Sequence, residues 1–417
     1  MSARKKRKPN IPNIVLTILS IVFLLILIFG FNYKITDDIL PDNPLAIEEN
    51  DTNTGELSYK RTDIKEAEVK PDTTITVTSV GDIMCHNTQY QDAYIKSSDS
   101  YDFSHVFSNI ADDLRKSDLT IGNLETTFAG KEKGYSGYPT FNTPEELATN
   151  LKELGFDVLS TANNHSLDKG YTGIEGTINT LDEVGISHMG TYTSEEAQNQ
   201  ILIKDVKGIK IAFLSYTYGT NGIAIPKGKE YCINLIDKDK IKEDLDKSKE
   251  LGVDLIFVSM HWGEEYRLKP TTQQKELADF LFENGADIIL GNHSHVLEPM
   301  ETREITLEDG STKPGFVIYS HGNFVSGQVK QYTNHSIMLN LKITKHGDSN
   351  KFTIDDVSYT PIYVDNRKNM SERYKILNIN TSIEAYENHT DSSISKTLYD
   401  NLVKARNATE KILAGDV

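Results

Sequence analysis

A layered α/β domain is predicted by two features of this 417-residue chain. Short β-branched apolar runs recur along it, and amphipathic helical patterns separate several of them. A third feature predicts where function lies. Each run ends abruptly in Gly, Asn, Asp, Glu or His, so polar side chains should gather at the carboxyl ends of the strands, where ligands sit in such folds.

The elements follow in order. Residues 1–13 hold the basic cluster Arg4, Lys5, Lys6, Arg7 and Lys8, and the first acidic residue is Asp37. Residues 14–31 read IVLTILSIVFLLILIFGF, without a charge. Such a run can span a bilayer as one helix, and the preceding cations predict a cytoplasmic N-terminus. A cleaved signal peptide is the rival reading. The run is long for one, and Asn32, Tyr33 and Lys34 follow it with no Ala-x-Ala pattern. A single-pass anchor in the cell membrane is therefore expected, with the main domain outside the cytoplasm. Residues 32–72 are polar and acidic, with Pro41, Pro44 and Pro71, and read as a stalk.

The domain is expected over 73–365. Its strand signals are TITVTSV, DLTIG, FDVLSTA, IKIAFLSYT, VDLIFVSM, ADIIL and FVIYS. DFSHVFSNIADDLRKS, TPEELATNLKELG, IKEDLDKSKELG and TTQQKELADFLFENG read as helices between them. Ser104 and Thr143 are the expected N-caps of the first two, with Pro144 at the first helical position. HSIMLNLKIT and KFTIDDVSYTPIYV read as a β-hairpin, and 366–417 as a C-terminal helical extension.

Composition narrows the chemistry. Acidic residues number 61 against 44 basic, a net charge of −17. Without the N-terminal cluster, 39 basic residues face 61 acidic ones, a charge of −22. Such a body repels nucleic acid, and a polyanionic substrate would need a local cation, most simply a metal. Cys85 and Cys232 are too few for a thiolate metal site and are expected unpaired. No Gly-x-Ser-x-Gly elbow, phosphate-binding Gly-rich loop or His-Glu-x-x-His helix is present. Paired carboxylates of the glycosidase kind stay open.

Asp82, Glu125, Asn164, His165, His261, His293 and His295 all fall at strand ends, read here as one edge of one sheet. Taken singly, Asp82 could cap a helix, Glu125 could be a solvated loop residue, Asn164 a turn former and His261 a satisfied histidine. Taken together, two carboxylates, an amide and four imidazoles form a mixed O/N set suited to divalent ions, two better than one. Asp168 could orient His165 or cap the next helix. His86 and His321 lie close in sequence to this set and remain candidates.

GDIM (81–84), NLE (123–125), ANNHSLDKG (162–170), HWGEE (261–265), GNHSHV (291–296) and YSHGNF (319–324) in this order resemble the CapA family of bacterial poly-γ-glutamate capsule proteins. The resemblance spans roughly residues 73–330. It implies a metallophosphoesterase-like β-sandwich flanked by helices, with Asp82, Glu125, Asn164, His261, His293 and His295 holding metal and His165 as acid. Two departures stand out: Met84 replaces the first-motif His, and Glu125 stands where Asp would bridge two ions. His86 and His321 are candidate substitute ligands. The resemblance further implies divalent metal (Mn, Zn, Fe or Mg), an anionic γ-glutamyl polymer and membrane synthase subunits as partners. A metal-dependent hydrolase or transferase is expected. The alternatives are a non-catalytic polymer-binding subunit of a synthase and a general extracytoplasmic phosphodiesterase.

Overall fold

The computed structural model describes residues 70–417 apart from 308, 309, 348, 350 and 369–371. The expected basic tail and anchor, and the stalk as far as residue 69, lie outside the described residues. Among the described residues no helix is long and apolar enough to cross a membrane.

Two large sheets form, together with a small antiparallel pair, Tyr94–Ile95 with Ser100–Tyr101. The first runs Tyr374–Asn378, Phe352–Asn366, His335–Lys345, Thr73–Ile83, Leu119–Leu124, Val158–Ser160, Ser187–Met189, and Asn323–Val325 pairs with the end of Thr73–Ile83. The second runs Met300–Thr306, Thr312–Ile318, Ile288–Asn292, Leu255–His261, Ile209–Thr217, Leu202–Val206. The β-branched runs between turn formers became the parallel strands, buried on both faces as such strands must be. The C-terminal runs form the expected antiparallel pair, His335 facing Tyr363 and Lys345 facing Phe352. Tyr374–Asn378, inside the stretch expected to be helical, is instead an edge strand paired with Phe352–Asn366. Helices Ile379–Glu387 and Lys396–Leu413 follow it.

One apolar cluster lies between the sheets: Ile75, Val77, Leu119 and Ile121 meet Phe213, Phe257, Leu290 and Phe316. A second packs Phe103, Phe107, Leu147 and Leu151 on the outer face of the first sheet. A third packs helices Lys238–Glu250 and Thr272–Glu283 on the outer face of the second. The result is a four-layer α/β/β/α stack, with burial of these faces as its main driving force. The residue pattern alone read the ligands as one edge of one sheet, whereas they come from two, because strand signals report burial and not which sheet a strand joins.

Two expected caps also differ. Ser104 is the first residue inside its helix and not its cap, and its N–H donates to the Asp102 carboxylate at 2.8 Å. The Thr143 hydroxyl pairs with Thr126 at 2.6 Å, and the regular helix starts at Glu146. Both offsets reflect tertiary partners competing for a local donor.

Parallel order within each sheet sends strand carboxyl ends to one edge. Thr73–Ile83, Leu119–Leu124 and Val158–Ser160 deliver Asp82, Glu125 and Asn164, and Leu255–His261 and Ile288–Asn292 deliver His261, His293 and His295. The motif glycines permit tight backbone approach there. A Cβ on Gly81 would meet the Gly322 carbonyl oxygen at 1.8 Å, and one on Gly291 the Tyr319 oxygen at 2.0 Å.

Candidate metal centre

Glu125 joins two clusters. One ligand atom each from Asp82, Glu125 and His295 lie within 4.8 Å of one another, and the same holds for Glu125, His261 and His293. All five side chains are buried. The two sheets thus contribute jointly: Asp82 and Glu125 come from the first, and the three histidines from the second. The Asp82 carboxylate lies 3.2 Å from His295 Nδ1 and accepts from the Asn123 amide at 2.8 Å. His261 Nε2 lies 3.6 Å from Glu125 and 2.8 Å from the Asn164 side-chain oxygen. Asn164 therefore joins the second cluster.

The loop carrying two ligands is bent to aim them. His293 has φ +97° and His295 φ +59°, a left-handed backbone that costs non-glycine residues on the order of 1–3 kcal/mol. Such strain, two residues apart and beside buried carboxylates, marks positions held for a purpose.

Electrostatics point the same way. Neither carboxylate oxygen of Glu125 has a hydrogen-bond partner, nor has His293 Nδ1. Burial, and then the neighbouring Asp82, hold the Glu125 carboxyl well above its usual range. Burial and the facing imidazoles push His261 well below its usual range and His293 down to about 3. These imidazoles are neutral near pH 7, the form that ligates metal. A buried, unpartnered carboxylate among neutral imidazoles is costly alone and is relieved by a cation. The donor set therefore fits divalent metal ions.

His165 lies beside the clusters in neither of them. Its Nδ1 is 2.8 Å from Asp168 Oδ2, which also accepts from the Phe141 N–H at 2.6 Å. The helix Gly170–Val184 has no side-chain cap, so Asp168 orients His165 and caps nothing. The Phe141 ring stands edge-on to His165 at 4.7 Å.

His86 and His321 fall outside both clusters. His86 Nδ1 accepts from the Gly327 N–H at 3.2 Å, and His321 Nδ1 lies 2.9 Å from the Gly291 carbonyl oxygen. Burial lowers each to about 4. Met84 is buried, and both cysteines are free and buried.

Sequence reasoning missed three amides beside the ligands, one of them Asn323, whose Oδ1 lies 3.1 Å from His295 Nδ1. Asn123 holds Asp82, and its nitrogen also lies 3.3 Å from His261 Nδ1. Asn221 accepts from the Asn164 nitrogen at 3.1 Å, which leaves the Asn164 oxygen facing the cluster. Asn123 stands inside the NLE motif, a signal that was available. Asn221, 57 residues from its partner, had none.

Fold and site define a two-sheet α/β protein with buried His, Asp and Glu groups compatible with metal binding. The chain belongs to the bacterial capsule synthesis protein PGA_cap family, whose model matches residues 76–328. It is 30% identical over 281 residues to the capsule biosynthesis protein CapA of Bacillus anthracis, covering 66% of this chain and 65% of that one. It is 30% identical over 289 residues to the PGA biosynthesis protein CapA of Bacillus subtilis (strain 168), covering 66% and 70%. The match thus spans less than two thirds of the first relative's length. Among solved structures, Haemophilus influenzae NAD nucleotidase aligns with a TM-score of 0.43 at 14% identity, covering 82% of this chain and 61% of that one.

Proposed function

We propose that this chain is a membrane-anchored, extracytoplasmic hydrolase or transferase that acts on poly-γ-glutamate during capsule assembly, using two divalent metal ions. The shared Glu125, with both oxygens unpartnered between two ligand clusters, carries the reading. Membership of the capsule synthesis family and the two CapA relatives support the polymer as substrate and membrane synthase subunits as partners. The basic cluster ahead of the apolar run at 14–31 supports the anchor and its orientation.

Asp82, Glu125 and His295 would hold one ion, and Glu125, His261, His293 and Asn164 the other. Divalent metal there would supply Lewis acidity toward a carbonyl or phosphoryl oxygen. The chain's own residues do the rest. Asp168 accepts the Nδ1 proton of His165 and fixes the ring, which leaves Nε2 to deliver a proton to a leaving group. Phe141 anchors Asp168 through its backbone N–H and shields the imidazole with its ring.

One observation favours the non-catalytic subunit as second reading. Met84 is buried where the resemblance implies an imidazole, and a thioether is a poor ligand for a hard ion. Metal analysis and turnover decide. His293→Ala with His295→Ala should abolish high-affinity divalent metal binding with the fold retained, and unchanged metal content would sink the ligand set. His165→Ala should retain metal and lose roughly 10²–10⁴ in turnover of γ-glutamyl or phosphodiester substrates. Full polymer production in cells carrying His165→Ala would favour the non-catalytic subunit.

A further inference from the structure

Two tyrosines bracket the metal clusters, and one of them carries a cation. Tyr218 is 48% exposed, and its ring lies 4.5 Å from that of His293. Tyr266, on the other flank, lies 6.0 Å from the His295 ring. It is tied to the ligand loop: its N–H donates to the Ser294 carbonyl at 2.7 Å, between the two histidines. Its own backbone is left-handed, φ +64°, which fits a position fixed by its surroundings. Lys330 Nζ sits 3.5 Å from the centre of the Tyr266 ring. Lys330 is exposed, and among the described residues no carboxylate lies within ion-pairing distance of it.

This placement runs against the local charge. The site is walled by Asp82 and Glu125, and the Tyr266 loop carries exposed Glu264 and Glu265. An unneutralised ammonium parked on an aromatic face at such a mouth has little structural use. It has an obvious use toward an anion that would otherwise be repelled. A γ-linked glutamyl chain presents that anion in register with its bonds. Each amide nitrogen is attached to the α-carbon bearing a free carboxylate, whereas in α-linked chains the carboxylate sits at the end of a flexible side chain.

We propose that Lys330, held on Tyr266, binds the α-carboxylate of the γ-glutamyl residue next to the metal centre and so selects γ-linked over α-linked substrate. The proposal rests on the reading of the site as one for γ-glutamyl polymer. The test measures binding of γ-linked pentaglutamate, α-linked pentaglutamate and inorganic phosphate to the full-length, metal-loaded protein by calorimetry, with metal content assayed in parallel. Lys330→Gln should weaken the γ-linked oligomer about tenfold, as loss of one charge-assisted hydrogen bond does. It should leave metal content and α-linked binding unchanged, and Lys330→Arg should restore the affinity. Tyr266→Phe keeps the ring and should bind normally, whereas Tyr266→Leu should match Lys330→Gln. Equal affinity of Lys330→Gln and the unaltered protein for the γ-linked oligomer overturns the proposal. Lys330-dependent binding of phosphate without γ-linked oligomer overturns the selectivity, and loss of metal in the His293 and His295 variant tests the metal reading separately.

Discussion

The two ends of the parallel strands treat the same residue type in opposite ways. At the amino ends, Asp118, Asp157, Asp254 and Asp287 each precede a strand, and each accepts the backbone N–H of a neighbouring strand: Thr76, Thr120, Lys210 and Ile256, at 2.7 to 2.9 Å. Lys207, Lys345 and Lys313 complete three of these carboxylates. At the carboxyl ends, the Glu125 carboxylate has no hydrogen-bond partner, and Asp82 faces a histidine ligand. A satisfied carboxylate staples a sheet, and an orphaned one in the same sheet awaits a cation. Sequence pattern alone treats both as acids beside apolar runs; hydrogen-bond satisfaction separates structural from functional ones.

The largest expected effect breaks that contrast directly. Glu125→Gln should reduce metal affinity at both positions by more than about a hundredfold, since the bridging charge is lost. The same variant should raise the stability of the metal-free protein at neutral pH, because folding no longer has to protonate a carboxyl that is ionised in the unfolded chain. Asp287→Ala should do the reverse: it should cost about 2–4 kcal/mol, leaving Lys313 and the Ile256 N–H unpaired, with metal content untouched. Denaturant titration and metal analysis on both variants read the pair. A metal-free Glu125→Gln protein less stable than its parent would contradict the division.

A smaller effect sharpens it. Asn221→Ala frees the Asn164 amide to turn, so metal affinity should fall about 10–100-fold with little change in thermal stability. Equal affinity would mean that Asn164 orients itself. The smallest effect concerns pH. Burial holds His321 at about 4, so the unfolded chain takes up a proton that the folded one refuses as pH falls below 6.5. That histidine's contribution is intact above pH 6.5 and is lost as pH falls toward 4, with a slope near 1.4 kcal/mol per pH unit. His321→Gln should flatten the acid side of the metal-free stability profile by about that slope, which urea midpoints between pH 6.5 and 5 would reveal.

Much of this was legible in one dimension. The β-branched runs, their abrupt polar ends and the clustering of His, Asp, Glu and Asn at those ends follow from period, propensity and turn chemistry, all local properties. So do the antiparallel pair after residue 335 and the two terminal helices. Tertiary structure alone decided that the ligands come from two sheets, because hydrophobic runs do not encode which sheet a strand joins. It alone turned Asp168 onto His165, Asn221 onto Asn164 and Lys330 onto Tyr266. It also set His86 and His321 apart from the two clusters, their Nδ1 atoms meeting backbone groups 241 and 30 residues away. Each of these outcomes depends on which surfaces the packed sheets bring together, a property of the whole chain and of no segment within it.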